Sequence, residues 1–309
     1  MSTQRTLAFL LGIVVLGAIA LPIVYDTEKQ PLDDSVRSQV AGQFIELTRG
    51  VTHYQLAGPA QGRSIVLVHG FSVPYYIWDP TFEALVDAGY RVLRYDLFGR
   101  GYSDRPDVDY DGQLFQQQLD ELLERLGITF PIDLIGLSMG GAIVVDYAAR
   151  HPDQVHSLVL IDPAHQGREA RTLMDIPLVG EYLMAVRMAP GMAASQLSDF
   201  VHPELFPDWP ARYRIQMQYP GFRRAILSTL RHYFHEDHWA AYETVGALNK
   251  PVLLIWGRED TTIPFSQSKQ VKETLSASLL AIGGAGHIPH YEKPKVVNSE
   301  LLRFLEELD

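Results

Sequence analysis

The segment Gly136-Leu137-Ser138-Met139-Gly140 constrains the fold most strongly, because it directly follows an apolar run of strand character, Ile132 to Ile135. Glycines two residues before and two residues after a serine remove the side chains that would collide where a strand turns sharply into a helix. Residues 142–150 have the composition of a helix, which would place Ser138 at a helix N-terminus, where free backbone N–H groups stabilise negative charge. The pattern therefore predicts a strand, a tight turn that exposes a serine hydroxyl, and a helix.

Short β-branched and apolar runs alternate with helical patterns from about residue 43 onward. This alternation predicts an α/β fold in which helices cover both faces of a mostly parallel central sheet. The predicted strands are 43–48, 52–56, 64–68, 90–95, 132–135, 157–161, 251–256 and a weaker 278–282, and the further predicted helices are 82–88, 114–126 and 296–308.

The stretch between Asp162-Pro163 and Pro251 breaks the alternation, because it contains no evident strand and is rich in methionine, aromatic residues and proline. We predict a helical cap insertion at about residues 164–245 that covers the carboxyl edge of the sheet, where ligands of open α/β folds bind. Its methionines would line a pocket, fill the core of the cap, or do both. They are Met174, Met184, Met188, Met192 and Met217.

A serine hydroxyl is a weak nucleophile at neutral pH, so it needs a base within hydrogen-bond reach and an acid that orients the base. Asp260 lies on the loop just after the predicted strand 251–256, and His287 lies on a glycine-containing loop after the last strand. The three residues occur along the chain in the order serine, acid, histidine, which is the order found in proteins with a serine on such a strand-to-helix turn. Ser138, Asp260 and His287 are therefore the predicted catalytic residues.

Other residues compete for these roles. Glu259 adjoins Asp260, and Asp162 also follows a strand, where some proteins of this architecture hold the acid; we prefer Asp260 to both. His290, three residues past His287, is expected near a helix start. The other histidines are expected at the surface or in the packed interior. They are His53, His151, His156, His165, His202, His232, His235 and His238. His232, His235 and His238 have helical spacing, but this is a weak pattern for a metal site without supporting carboxylates, so no metal and no cofactor is predicted.

Backbone donors are also needed, because negative charge builds on the carbonyl oxygen during acyl transfer. The N–H of Met139, immediately after the serine, is one predicted donor. The N–H of Phe71, on the loop after the strand 64–68, is the other, and Gly70 lets that backbone approach closely. His69 is expected to brace this loop.

Composition excludes several functions. The chain of 309 residues is 47% hydrophobic and can bury a large core. Its net charge of -11, without a cluster of basic residues, argues against nucleic acid as a partner. The absence of cysteine removes thiol nucleophiles, disulfides and cysteine-based zinc sites.

The N-terminal residues 1–25 predict a membrane segment, because residues 7–24 carry no charge and are long enough for a spanning helix. We favour an uncleaved anchor with the N-terminus inside and the catalytic domain exported to the periplasmic side; the alternative is a signal peptide cut after Ala18-Ile19-Ala20, giving a secreted protein. Neither asparagine, Asn249 or Asn298, lies in a glycosylation motif. Residues 26–42 are polar and predict a linker, which leaves 43–309 as the folded domain.

Several segments together resemble the α/β-hydrolase superfamily over about residues 43–309: His69-Gly70-Phe71, the turn Asp96 to Asp104, Gly136 to Gly141, Asp260, and Gly286-His287. The resemblance implies an α/β-hydrolase fold, with Ser138 as nucleophile, His287 as base and then acid, Asp260 as the residue that orients it, and an acyl-enzyme hydrolysed by water. It also implies that Asp96, Gly99, Gly101 and Ser103 are scaffold residues that support the loop of the backbone donors. Combined with the apolar N-terminus, the chain is similar to membrane-anchored hydrolases of the monoacylglycerol-lipase or carboxylesterase type.

The resemblance leaves several functions open. A serine at the turn argues against haloalkane dehalogenases and epoxide hydrolases, which place aspartate there, and a single His69-Gly70 argues against the hormone-sensitive-lipase-like branch. Four functions remain: a carboxylic ester hydrolase, a carbon–carbon bond hydrolase of ring-cleavage products, a cofactor-free perhydrolase, and a non-catalytic binding protein of the same fold. We predict an ester hydrolase acting on lipid-like acyl substrates, because an anchor would hold the site beside lipid.

Overall fold

The computed structural model describes Gly17 and residues 20–308. Its centre is an eight-stranded sheet, which confirms the predicted α/β class. The strands are β1 Gln43–Leu47, β2 Gly50–Ala57, β3 Ser64–Val68, β4 Arg91–Tyr95, β5 Ile132–Leu137, β6 Val155–Ile161, β7 Val252–Gly257 and β8 Ser278–Ile282. The strand order is β1-β2-β4-β3-β5-β6-β7-β8, with β2 antiparallel to both neighbours and all other neighbours parallel.

Strand bounds agree with the sequence prediction at β3 and β8, whereas β5 is longer than predicted. The predicted strand ended at Ile135, and the next residue, Gly136, is a weak strand former. In the structure Gly136 pairs with Val68 of β3 and with Leu160 of β6, so its neighbours on both sides hold it in the sheet. The strand therefore runs on to Leu137, directly beneath the serine.

Helices cover both faces of the sheet. The α-helices are Asp34–Arg37, Asp79–Asp87, Gly112–Arg125, Met139–Arg150, Val179–Leu183, Ala189–Ser195, Trp209–Arg214, Phe222–Arg231, Trp239–Ala247, Ser268–Leu275, Pro289–Glu292 and Pro294–Glu306, with short 3₁₀ turns between several of them. Local signals set their ends: the Asp111 side chain accepts a hydrogen bond from Leu114 N–H (2.8 Å) and caps Gly112–Arg125.

Alternate residues of each central strand bury on opposite faces. In β3, Val66 and Val68 belong to one hydrophobic cluster, while Ile65 and Leu67 belong to the other. All four are fully buried, and each such side chain contributes about 1.5–3 kcal/mol of hydrophobic stabilisation. The sheet is therefore a buried middle layer whose carboxyl edge is free to carry loops.

The insertion between β6 and β7 contains helices and no strand among the described residues. Met184, Met192 and Met217 are buried in the cluster that also holds sheet residues. Before the helix Ala189–Ser195 the chain forms a π-helical turn, Met184–Met188. Pro190 lacks the N–H that would continue a regular α-helix, which accounts for the wider turn.

Part of the predicted linker, residues 26–42, contacts the folded domain. The predicted span, residues 7–24, lies mostly outside the described residues, and none of the helices that the structure does describe is long and apolar enough to cross a bilayer. The linker packs along the cap: Arg223 pairs with Asp26 and Glu28, and Thr27 Oγ1 donates to Met217 O (2.9 Å). Its acidic residues are held because a basic cap helix lies beside them.

Candidate active site

Ser138 occupies a strained turn between β5 and the helix Met139–Arg150. Its φ of 52° and ψ of −119° lie outside the regions that a side chain favours. Three main-chain hydrogen bonds hold it there: Ser138 N–H donates to Ile161 O (2.9 Å), and Ser138 O accepts from the N–H groups of Gly141 (2.9 Å) and Ala164 (3.0 Å). The fold thus fixes the serine in a conformation that an isolated chain would leave.

Two glycines make this turn sterically possible. A Cβ on Gly136 would lie 2.4 Å from Gly140 O, and a Cβ on Gly140 would lie 2.2 Å from Val68 O. Both distances are far below any van der Waals contact, so strand, helix and the end of β3 can approach this closely only without those side chains. This is the physical content of the Gly-x-Ser-x-Gly pattern.

Asp260 and His287 are hydrogen-bonded to each other. Asp260 Oδ2 lies 2.8 Å from His287 Nδ1, and both residues are buried. The second carboxylate oxygen of Asp260 accepts from the N–H groups of Thr262 (2.7 Å) and Ile263 (3.0 Å), which fixes its orientation. Because an ionised carboxylate can only accept, Nδ1 carries the proton and Nε2 of neutral His287 is the basic nitrogen.

The protonation of His287 depends on its neighbours. Burial lowers the pKa of His287, but the hydrogen bond to Asp260 and the negative charges of Asp260 and Asp199 outweigh burial, so that the pKa is raised above its usual value. A base with a raised pKa takes a proton from a hydroxyl more readily.

Ser138 and His287 line the same cavity, which has a volume of about 590 Å³. Its walls combine apolar side chains with a few polar groups that come from the cap. The apolar members include Met188, Met192, Phe234 and Ile288, and the polar ones include Gln196 and Asp199. The structure therefore places the serine and the His287–Asp260 pair at one cavity at the carboxyl edge of the sheet, and their shared catalytic role stays a prediction.

The loop after β3 carries Phe71, which also lines the cavity. A Cβ on Gly70 would be 3.3 Å from Ser138 Cβ, so this loop lies against the serine. The hydrogen bonds found among the described residues include none from the N–H of Phe71 or of Met139. Neither predicted donor is therefore engaged by another group of the described residues, and their role as oxyanion donors stays a prediction.

His69 braces that loop, in agreement with expectation. Its Nδ1–H donates to Gly70 O (2.9 Å), and its Nε2 accepts from Leu97 N–H (2.9 Å). Complete burial lowers the pKa of His69 to about 4, so the ring stays neutral at physiological pH.

Arg100 is a second brace, and the sequence analysis missed it. Its buried guanidinium donates to Phe71 O (2.8 Å), to Phe98 O (3.1 Å) and to Thr229 Oγ1 (2.8 Å). Phe71 O belongs to the same residue whose N–H is a predicted oxyanion donor, so Arg100 holds that residue in place. The signal was Arg100 itself, a cation inside a glycine-rich turn after a buried strand.

The neighbouring turn behaves as scaffold. Asp96 accepts hydrogen bonds from the N–H groups of Tyr75 (2.8 Å) and Tyr102 (2.9 Å), and lies 2.7 Å from His53 Nδ1. Burial alone would raise the pKa of Asp96, but the hydrogen bond and charge of His53 outweigh it and lower the pKa. Asp96 therefore ties the turn to the loop that follows β3.

The competing acids have other contacts. Glu259 accepts from the N–H groups of Gly284 (3.0 Å) and Ala285 (3.3 Å), which shapes the loop before His287. Asp162 is fully buried, and its Oδ1 accepts from Gly257 N–H (2.9 Å). Asp260 is the carboxylate that is hydrogen-bonded to His287.

The remaining histidines do not converge on a metal site. The three at helical spacing pair with different carboxylates: His232 with Asp109, His235 with Asp175 and His238 with Asp146. Within the described part of the chain, the side chains of Asp162, Asp260 and His287 come within 4.8 Å of one another, but the hydrogen bond of the triad already engages two of them, and we assign no metal there. The absence of metal and cofactor stays a prediction.

The cap reaches the candidate triad through its main chain, a contact that the sequence analysis did not foresee. His287 N–H donates to Asp199 O (2.9 Å). A Cβ on Gly286 would lie 2.4 Å from the same oxygen, so Gly286 is required for this approach. The Gly-His dipeptide was the available signal, but the hydrogen-bond partner of His287 lies 88 residues away in the insertion.

A larger cavity, of about 730 Å³, lies away from these residues, between the N-terminal segment and the cap. Ile23 lines it together with the cap residues Glu181 and Arg231, and its charged side chains are largely paired, as Arg231 is with Glu181. Ser228, His232 and Asp109 also line it, but Ser228 lies within a regular helix, where its Oγ accepts from Tyr110 N–H (3.0 Å), and His232 pairs with Asp109 (3.3 Å). The smaller cavity, where Ser138 lies on its strained turn, is therefore the candidate active site.

A sheet of this order with a serine on the turn after β5, and with acid and histidine after β7 and β8, defines a hydrolase of the α/β class. The chain belongs to the α/β hydrolase fold family, whose model matches residues 63–294.

Relatives agree with this family. The AB hydrolase superfamily protein YfhM of Bacillus subtilis is 29% identical over 289 residues, which cover 85% of this chain and 97% of that protein. Lipase 3 of a Moraxella species is 26% identical over 260 residues, covering 80% of this chain and 78% of Lipase 3.

Solved structures share the fold. A meta-cleavage product hydrolase from Pseudomonas fluorescens has a TM-score of 0.72 at 24% identity and covers 87% of this chain and 98% of its own. A membrane phospholipase A, a bacterial virulence factor, has a TM-score of 0.70 at 24% identity and covers 99% of both chains.

Proposed function

We propose that this protein is a serine hydrolase that cleaves carboxylic esters of lipid-like acyl groups through an acyl-enzyme. The observation that carries the proposal is the 2.8 Å contact between Asp260 and His287 at the cavity that also exposes Ser138 on its strained turn. A nucleophile, a base and a residue that orients the base are the parts that acyl transfer needs.

In the proposed first half-reaction, Ser138 Oγ attacks the acyl carbonyl carbon while His287 Nε2 takes the hydroxyl proton. The Phe71 and Met139 N–H groups then donate to the oxyanion of the tetrahedral intermediate, which such donors stabilise by about 3–4 kcal/mol each. Asp260 keeps Nδ1 protonated and stabilises the imidazolium. The intermediate collapses as the ester C–O bond breaks and His287 returns the proton to the leaving alcohol.

In the second half-reaction, water attacks the acyl carbon and His287 takes its proton. The second tetrahedral intermediate then releases the free carboxylic acid, and the proton returns to Ser138 Oγ. Each step uses groups already present at the cavity, and none requires a cofactor.

The cavity supports an amphiphilic substrate. Its apolar wall, with Met188, Met192 and Phe234, suits an acyl chain, because flexible methionines adapt to irregular apolar ligands. Its polar wall, with Gln196 and Asp199, suits an alcohol moiety that carries hydrogen-bonding groups. Lipase 3 and the membrane phospholipase A, both similar to this chain, support an ester over a carbon–carbon bond, whereas the meta-cleavage product hydrolase keeps the latter as the alternative outcome.

We further propose that residues 1–25 anchor the protein in a membrane with the catalytic domain exported. The last described residues of that segment are apolar and exposed, as Ile23 (67%) and Val24 (74%) show. The cap exposes its own apolar side chains, Leu173 (61%) and Leu178 (83%). Exposed apolar groups on a segment and on the cap beside it favour contact with lipid. The match of a membrane phospholipase A to 99% of this chain supports the same arrangement.

Hydrolysis assays test the reaction. Purified protein is offered p-nitrophenyl esters and monoacylglycerols of graded chain length, beside a dienoic ring-cleavage product. We expect ester hydrolysis and labelling by a fluorophosphonate, with both lost in Ser138→Ala. Preference for the ring-cleavage product would refute ester hydrolysis, and a folded protein that is never labelled would favour a non-catalytic binding protein.

Protease treatment of spheroplasts tests the location. The catalytic domain should be degraded in intact spheroplasts if it is exported. Protection of the domain until the membrane is lysed would overturn the proposed topology, and release into the medium of a chain lacking residues 1–25 would favour the cleaved signal peptide.

A further inference from the structure

Asp162 is a buried carboxyl group to which the proposed mechanism gives no role. It is the first residue after β6, it is fully buried, and its backbone has a φ of 42°. Oδ1 accepts from Gly257 N–H (2.9 Å), whereas no N–H or O–H of the described residues donates to the buried Oδ2. A buried carboxylate oxygen without a donor is costly, so this atom needs an explanation.

A second carboxyl group lies close to Asp162. Atoms of Asp162 and Asp260 lie within 4.8 Å of each other and of His287. Neither carboxyl forms an ion pair with a lysine or arginine of the described residues. Two carboxylates this close in a buried site cannot both be ionised, and one of them keeps a proton.

The surroundings decide which carboxyl keeps the proton. Asp260 accepts two main-chain N–H bonds and the His287 bond, all of which favour its charged form. Asp162 has the single bond from Gly257. Burial and the charge of Asp260 raise the pKa of Asp162 well above its usual range, and the charge of Glu292 acts in the same direction.

We propose that Asp162 is a positioning residue: it remains a neutral carboxylic acid whose Oδ2–H donates to Asp260, so that Asp260 alone carries the negative charge directed at His287. The proposal rests on the proposed serine mechanism, because it concerns the acid of that triad. It explains why Oδ2 lacks a donor, since a protonated Oδ2 is itself the donor.

This hydrogen bond has two consequences for His287. It adds a support to the Asp260 carboxylate, whose orientation sets that of the imidazole. It also draws part of the negative charge of Asp260 away from Nδ1, which moderates the rise in the basicity of His287. The titratable groups that face this cluster are Asp260, His287, Asp199, Glu292 and His290.

Two substitutions separate the proposal from a merely structural role. Asparagine and glycine both adopt a positive φ, so Asp162→Asn and Asp162→Gly suit the backbone at this position. Asn keeps a donor for Asp260 and an acceptor for Gly257 N–H, whereas Gly removes both. The readout is the rate at which a fluorophosphonate labels Ser138, measured against pH, which requires no knowledge of the substrate.

We expect the fluorophosphonate to label Ser138 in Asp162→Asn at a rate within about three-fold of the wild-type rate, because one neutral donor replaces another. The acid limb of the pH profile, where the labelling rate falls as the pH drops, should stay at the same pH. In Asp162→Gly the labelling rate should be at least roughly ten-fold lower, because Asp260 loses a hydrogen-bond donor that supports it. The acid limb should move up by about half a pH unit, because the full negative charge of Asp260 then raises the basicity of His287. An acid limb that moves to lower pH in Asp162→Asn would show that Asp162 is ionised, and would overturn the proposal. Equal limbs in all three proteins would also overturn it, in favour of a structural role.

An infrared measurement tests the proton directly, without any turnover. The difference spectrum between wild type and Asp162→Asn at neutral pH should contain the C=O stretch of a protonated carboxyl, present in the wild type alone. Its absence overturns the proposal even if the protein hydrolyses esters, and its presence supports the proposal even if the ester assays fail. Asp260→Asn provides the comparison: if it is labelled faster than Asp162→Asn, Asp162 is the acid of the triad and the roles are reversed.

Discussion

Gly140 offers the sharpest test of how the serine turn is built. In Gly140→Ala the new Cβ would lie 2.2 Å from Val68 O and 2.5 Å from His69 O. Carbon atoms of real side chains do not approach closer than 3.0 Å, so the turn and the end of β3 must separate by about 0.8 Å. Both partners are main-chain carbonyls, and no side-chain rotation can relieve the contact.

This separation should damage both activity and stability. Val68 and His69 lead directly into the loop that carries the Phe71 N–H, whereas Ser138 is on the other side of the gap. A misplacement of about 1 Å between nucleophile and oxyanion donor costs roughly 100-fold in rate. Overpacking of a tight interior costs about 1–3 kcal/mol of unfolding free energy. Fluorophosphonate labelling rates and urea denaturation measure the two effects on the same sample.

Gly283→Ala is the matched control. It also adds one methyl group to a glycine close to the site in sequence, but its Cβ would meet nothing nearer than Arg258 Cδ at 4.0 Å. It should keep the labelling rate and stability of the wild type. A Gly140→Ala protein that reacts at the wild-type rate would refute the idea that close main-chain approach positions serine and donors.

Three further results are expected. Asp260→Asn removes the charge that raises the pKa of His287, so labelling should slow by roughly 10⁴-fold and the acid limb should move to lower pH; an unmoved limb contradicts this assignment. In the wild type, only neutral His287 accepts a proton, so the labelling rate should fall as the pH drops through the pKa of His287, which is raised above 6.5. A fall in rate that begins only below pH 6.5 would contradict the raised pKa. His69→Ala leaves the buried Leu97 N–H unpaired and should cost about 1–3 kcal/mol in urea denaturation, whereas His69→Gln should recover part of that loss.

Much of the fold was predictable because its elements carry local signals. The bounds of β3 and β8 agree with the prediction, since each is a short, mostly apolar run and glycine follows it closely in the chain. The cap helices were not located individually, because they are only five to ten residues long and are shaped by packing on the sheet and on each other. The π-helical turn at Met184–Met188 is an example, set by Pro190 and its tertiary surroundings.

The placement of the candidate site followed from topology, since carboxyl ends of parallel strands meet at one edge. Ser138, Asp260 and His287 needed only their positions after β5, β7 and β8 to be brought together. Arg100 and Asp162 were beyond this reasoning, because nothing local says that Arg100 reaches Phe71 O or that Asp162 lies beside Asp260. Such contacts depend on the register between strands and loops that are distant in sequence.

The cap and the triad are joined by main chain rather than by side chains, and this affects how the site can vary. His287 N–H is bound to the carbonyl of Asp199, and Gly286 permits that approach, so the histidine loop is held whatever side chain stands at position 199. The Asp199 side chain, which lines the cavity and accepts a hydrogen bond from Thr262 Oγ1 (3.3 Å), is not needed for this main-chain contact. Substitutions there can alter which alcohol moiety is accepted while the hydrogen bond that holds His287 remains. Asp199→Asn should accordingly keep most of the fluorophosphonate labelling rate while changing the relative rates among esters of different alcohols. An equal loss for every ester, together with slow labelling, would instead show that the carboxylate serves the reaction at Ser138 and not the choice of alcohol.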